Sequence, residues 1–155
     1  MATYTTLGIA RAWSAAFLRD RALAAWAEQH FSRPFSVSIG ADMRRPPSED
    51  EAPFIAIFPD AVSSPDDRAR NRHELGLVVG ISDDGWQESG EGGREMRGLI
   101  RLDELWPLMR RVMDFALPGA ASHDPSVEYE LLEFPLLMLL ITATVEQRLP
   151  IGGRL

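Results

Sequence analysis

Three histidines, one glycine-rich loop and two runs of charge are the places where this chain's residue types could do chemistry. His30, His73 and His123 are far apart and none belongs to a His-x-x-x-His pair. The spacing that lets two imidazoles share a metal on one helix face is therefore absent. They are expected at a helix end, a strand start and a turn, as surface residues. No serine occupies a Gly-x-Ser-x-Gly turn, and the carboxylates are scattered through loops and helix faces. Triads can assemble from distant positions, yet nothing in the residues raises catalysis above background. No catalytic residue, metal ligand or cofactor is assigned.

The segment Asp83 to Gly98 (DDGWQESGEGGREMRG) holds five glycines and superficially resembles a phosphate-cradling loop. Its spacing matches neither the dinucleotide fingerprint nor the P-loop, and no lysine follows; the whole chain contains none. It reads as a mobile loop over 83–98. Trp86 stands out there because a tryptophan in polar surroundings has no local core to join. Either it folds back on the domain or it anchors a contact with another chain. Residues 60–72 read as a second mobile loop, rich in turn formers and mixed charge with little to bury. Its Asp66, Asp67, Arg68, Arg70 and Arg72 form either a docking loop for a partner or a solvated connection.

Composition narrows the classes. At 155 residues, 45% hydrophobic and 25% charged, the chain should close one core as a single soluble domain. With no cysteine, neither a disulfide framework nor a thiolate metal site is available. A formal charge of −7 lacks the broad positive field that holds phosphate backbones, which argues against a direct nucleic-acid binder. Arg11, Arg19, Asp20 and Arg21 interrupt the Ala-rich N-terminal run, as neither a signal-peptide core nor a membrane span would allow. Use in a cytoplasm, or in a particle assembled there, is expected.

The elements that must position these residues follow from periodicity. Leu7, Ala10, Trp13, Phe17, Leu23, Trp26 and Ala27 recur at helical spacing between Thr3 and His30, with Asp20 able to cap a second helix if the pattern breaks near Leu18. Trp13 and Trp26 are expected as core packing. Strands are predicted over Ser32–Ile39, Pro53–Pro59 and His73–Ser82. The second is apolar on both faces, which places it inside a sheet. In the third, Gly76 and Gly80 lie on one side, where a close neighbour can exclude a side chain. A helix over Leu99–Leu117 presents Leu102, Leu105, Trp106, Met109, Val112, Met113 and Ala116 as one stripe. Pro107 is expected in its first turn, with Asp103 or Glu104 near the start. Val127–Leu131 begins a final strand pair or one long bent strand, with Glu133, Phe134 and Pro135 as the bend.

The stretch after that bend organises the rest. Leu137, Leu139, Ile141, Ala143 and Val145 alternate with Leu136, Met138, Leu140, Thr142, Thr144 and Glu146, the period of a strand. A buried helix is the competing reading; Pro135 at the entry, the β-branched cluster Ile141, Thr142, Thr144 and Val145, and the charged exit favour the strand. The first set faces the core. The second grades from apolar to polar, so one end of that face needs a cover, from this chain or from a second copy. The order of elements gives an α+β, two-layer domain: a mixed or antiparallel sheet of four to five strands with two main helices packed on one face. The bare second face makes Leu136, Met138, Leu140 and Thr142 candidate subunit-interface residues in a homo-oligomer.

Over roughly Arg19 to Ile151, the succession of a helix, PFIAIFPDA, a charged loop, HELGLVVGIS, the helix LDELWPLMRRVMDFAL and the strand EFPLLMLLITATVEQRLP resembles the tail terminator proteins of long-tailed bacteriophages, the family of the lambda tail terminator. The resemblance implies a six-membered ring in the virion, at the head-proximal end of the tail. Such a ring caps the tail tube, ends its polymerisation and offers the surface to which the head or a neck protein attaches. It implies a structural protein with no cofactor and no membrane partner, its partners being its own copies, the tail tube protein and a head-completion protein. The closing strand would serve the neighbouring subunit, the charged loop and Trp86 the tube or neck. An acidic wall would let DNA pass through the channel without sticking. Another neck or tail-completion adaptor, or a small cytosolic enzyme or ligand-binding domain, are the alternatives.

Overall fold

The alternation that begins at Leu136 carries a strand of thirteen residues, β8 (Leu136–Arg148), and the rest of the molecule is assembled around it. The computed structural model describes residues 4–63, 70–118, 120–122 and 125–148. Before β8 come α1 (Thr6–Arg19), α2 (Arg21–Phe31), β1 (Ser36–Ile39), a short 3-10 turn (Glu49–Glu51), β2 (Phe54–Ser63), β3 (Arg70–Ser82), β4 (Trp86–Glu88), β5 (Arg94–Met96), α3 (Arg97–Phe115), β6 (Ala120–Ser122) and β7 (Ser126–Glu130). The main sheet runs β1-β2-β3-β8-β6, with β7 sharing the β6 edge of β8. β1 is parallel to β2 and the other pairs are antiparallel. The last two pieces of chain therefore form a strand pair, and β8 lies inside the sheet.

The N-terminal helical pattern splits in two at Asp20, whose carboxylate accepts the Leu23 amide hydrogen at 2.9 Å and starts α2. Asp20 also receives Arg111 of α3 at 3.0 Å, so one carboxylate both caps a helix and ties it to another. All three helices lie on one face of the sheet. Ile9, Trp13, Phe17, Leu23 and Trp26 meet Leu102, Leu105, Met109 and Val112 above the inward row of Ile55, Ile57, Leu75, Leu77, Val79, Leu137, Leu139 and Ile141. Both tryptophans are core residues, 0% and 7% exposed. The expected α+β architecture is present, its sheet five strand positions wide.

Several local expectations are corrected. Residues 60–63 and 70–72 are strand: β2 continues to Ser63 and β3 already begins at Arg70. The long β8 supplies backbone partners for this extension, pairing Arg70 with Arg148 and Arg72 with Glu146. The glycine-rich segment folds into the β4–β5 hairpin, where Gly90 and Gly92 take positive φ values of 82°, a conformation glycine adopts without steric cost. α3 begins at Arg97, whose amide donates to Gly85 at 2.9 Å. Pro107 is consequently well inside the helix, and the Asp103 carbonyl loses its usual donor. Gly80 meets the expected close neighbour, since a Cβ there would run into the Phe54 ring. At Gly76 no such crowding exists; the nearest atom is 3.8 Å away.

His73 departs furthest from expectation. It was expected on the surface and is 1% exposed, because β3 starts earlier and places it on the inward row between Val62 and Val145. Its Nδ1 lies 2.8 Å from Thr6 Oγ1, while Nε2 is buried without a partner among the described residues. Burial holds its pKa below the ordinary histidine value. His30 is also buried in part, edge-on to Trp26; burial first, then Arg101, depresses its pKa despite Glu104. His123 lies outside the described residues.

Candidate functional site

The centre of the sheet face away from the helices is built from the outward residues of three strands, β2, β3 and β8. Register places Phe54 opposite Gly80 and Gly80 opposite Met138, then Ala56, Val78 and Leu140 in the next row, and Phe58, Gly76 and Thr142 in the third. Residues in one cross-strand row share a face and pack against one another, so the apolar residues form a continuous band. The segment ending in the 3-10 turn folds over one end of it, and the β7–β8 turn walls the side. Between them runs an open groove of about 670 Å³, floored by Phe54, Ala56, Phe58, Val78, Met138 and Leu140 and walled by Met43, Pro46, Pro47, Phe134 and Pro135.

The four candidate interface residues do not share one environment. Met138 and Leu140 are half-buried on the groove floor and Thr142 is exposed beyond it. Leu136 is 6% exposed, covered by Ala52 and Phe54 of its own chain, so it supports the floor and presents little to a partner. Phe58 and Val78 complete the half-exposed floor, with Phe54 and Ala56 buried beneath it at 4% and 1% exposed, and none of the four was singled out in advance. The signal was the two-faced apolarity of PFIAIFP: its Ile55 and Ile57 fill the core, while the phenylalanines face the other way.

The charged candidates also separate. Arg70 and Arg72 are side by side on β3 and both reach Glu146, at 3.2 and 2.8 Å. Glu146 is 8% exposed, so these arginines fasten β3 to β8 within the fold. Asp66, Asp67 and Arg68 lie outside the described residues. Trp86 stands on β4, 49% exposed, with the Arg94 guanidinium 4.5 Å above its ring and Phe134 6.4 Å away. It is thus partly folded back, onto the turn that walls the groove. The hairpin carrying it is pinned by Asp83, which is paired with Arg97 at 2.9 Å. Burial raises the Asp83 pKa, but the hydrogen bonds from Arg97 and the Gly85 amide outweigh it and hold the carboxyl below its usual range.

The polar chemistry of the surface is sparse. Among the described residues, no three histidine, aspartate or glutamate side chains come together to hold a metal ion, and no helix is long and apolar enough to cross a membrane. The groove floor carries no charged group; its margin is acidic, with Glu49 and Glu133 at the walls and Glu128 and Glu130 on β7 opposite Leu140 and Met138. What this surface can do is bury apolar side chains of another molecule. In comparisons with known proteins, no family model matches the chain and no curated protein matches its sequence.

Proposed function

We propose that this chain is a structural subunit of a phage-type tail, a tail terminator that assembles into a ring at the head-proximal end of the virion. The observation that carries the reading is the half-exposed apolar floor of Phe58, Val78, Met138 and Leu140, supported from within by Phe54 and Leu136, on a sheet whose other face is already filled. An apolar face of this kind marks a surface that another molecule covers; a second copy can do so, and copies joined head to tail close into a ring when the rotation between them closes. The likeness in element order to the tail terminators supplies the biological setting, and six copies is the ring size that likeness implies. The mechanism is binding alone. A ring face complementary to the last tube ring occupies the site that the next tube subunit needs, which ends polymerisation, while the opposite face receives the head or a neck protein.

Mixing the purified protein with assembling tail-tube protein and imaging by electron microscopy tests this. Rings on tube ends and shorter tubes support it; tubes growing with the same lengths and bare ends refute it. Rings that join the head side without affecting tube length would reassign the protein as another neck adaptor. The groove volume also falls within the range of small-molecule pockets, which favours ligand binding as the second reading. Thermal shift against a panel of apolar ligands decides that case, since a stable ring would leave the floor occupied and the melting temperature unmoved.

A further inference from the structure

A closed ring requires that the groove of one copy receive a different surface of the next. That surface must be apolar at its centre, exposed on the single chain and positive at its margin, because the groove has an apolar floor and an acidic margin. The corner where α1 ends beside the C-terminal end of α3 has all three properties. Phe115 is 81% exposed and Leu18 61%, large apolar side chains that the core has left outside. Phe115 shares a shallow depression with Ala16, Arg19 and Arg111. Arg19 and Arg111 border the depression against the single carboxylate of Asp20, which Arg111 approaches to 3.0 Å, and the neighbouring Arg110 is balanced by Asp114 at 4.0 Å, so positive charge is in excess beside Phe115.

Of the other exposed hydrophobic residues, several belong to the receiving side, whereas Val62 is on β2 away from the groove and Tyr129 on β7 faces a depression beside Leu99, Ile100 and the acidic Asp103 and Glu95, which lacks the positive margin. Met43 and Phe134 line the groove, and Leu132 is in the turn beside Phe134. Arg44 and Arg45 are the cations of the wall segment; Arg44 is held by Asp42 at 3.0 Å, and Arg45 alone does not offset the four glutamates of the margin, Glu49, Glu128, Glu130 and Glu133. The helices and the groove are on opposite faces of the sheet, so a contact between them is head-to-tail and leaves a free groove at one end and a free corner at the other.

We infer that the α3 end of one copy, with Phe115 at its tip and arginines around it, seats in the groove of the next copy, against Met138 and Leu140 with Glu133 at the rim. This rests on the ring reading and names its two halves. The test uses the full chain as wild type, Phe115→Asp and Met138→Asp, followed by sedimentation velocity, with circular dichroism melts to confirm folding. Wild type assembles, and each variant alone is monomeric. An equimolar mixture of the two gives a one-to-one pair, because Phe115→Asp keeps a working groove and Met138→Asp keeps a working corner. Glu133→Arg, at an exposed position, serves if Met138→Asp does not fold; it should slow association about threefold to tenfold at low salt, an effect that salt removes. If Phe115→Asp assembles like wild type while the groove variants do not, the ring reading survives and this pairing is overturned. If wild type is itself monomeric, the ring reading falls first.

Discussion

His73 shows what a single residue contributes and what a sequence can hide about it. A histidine flanked by Arg72 and Glu74 reads as a surface residue. Only the register of β3 against β8 puts its ring among Val62, Val145 and Thr6. Burial depresses its pKa, so the unfolded chain binds a proton more readily than the folded one. The resulting stability is fully present above the ordinary histidine value of about 6.5 and is lost as pH falls below it toward the depressed value. Urea unfolding at pH 7.5 and then stepwise to pH 5 should show stability falling, with one histidine contributing at most about 1.4 kcal/mol per pH unit. His30 contributes in the same direction, and the difference between wild type and His73→Gln isolates the His73 share. An unchanged slope in His73→Gln would remove the residue from the account.

At the scale of elements, much was legible because periodicity is local. The stripe Leu102, Leu105, Met109, Val112 and Met113 is buried as its spacing demands, and Asp20 does cap a second helix. Replacing Asp20 with Ala should cost about 1 kcal/mol from the lost cap, and Asn should restore most of it; chemical denaturation reads both. The charged ends of β2 and β3 were illegible because polar residues form strand only when a long neighbour offers a ladder, here the far half of β8. Arg70 and Arg72 consequently changed from docking candidates into partners of Glu146. Glu146→Gln is expected to destabilise the fold by about 1–2 kcal/mol, the lower part of the range for charged hydrogen bonds, since both arginines stay near two-fifths exposed and are screened by water. No loss of stability would remove the Glu146 pairing from the contributions to the fold. The β4–β5 hairpin was hidden for a different reason: five glycines conceal a turn that only positive φ at Gly90 and Gly92 reveals.

For the whole molecule, the two layers could be foreseen from the order of helices and strands, but the insertion of β8 between β3 and the β6–β7 edge could not, because strand order is a long-range property. That insertion sets Met138 and Leu140 beside Val78, Ala56 and Phe58 and turns a half-apolar strand into an apolar surface. The central claim is that another copy of this chain covers that surface. It is tested most directly by the mass of the native protein in solution, measured by light scattering across a dilution series from about 50 to about 1 micromolar, the range that spans stable association. The account predicts one closed species at a whole-number multiple of the 17.3 kDa chain, six by the tail-terminator likeness, reduced to the single chain by Met138→Asp. A wild-type protein that stays at 17.3 kDa at every concentration would contradict it.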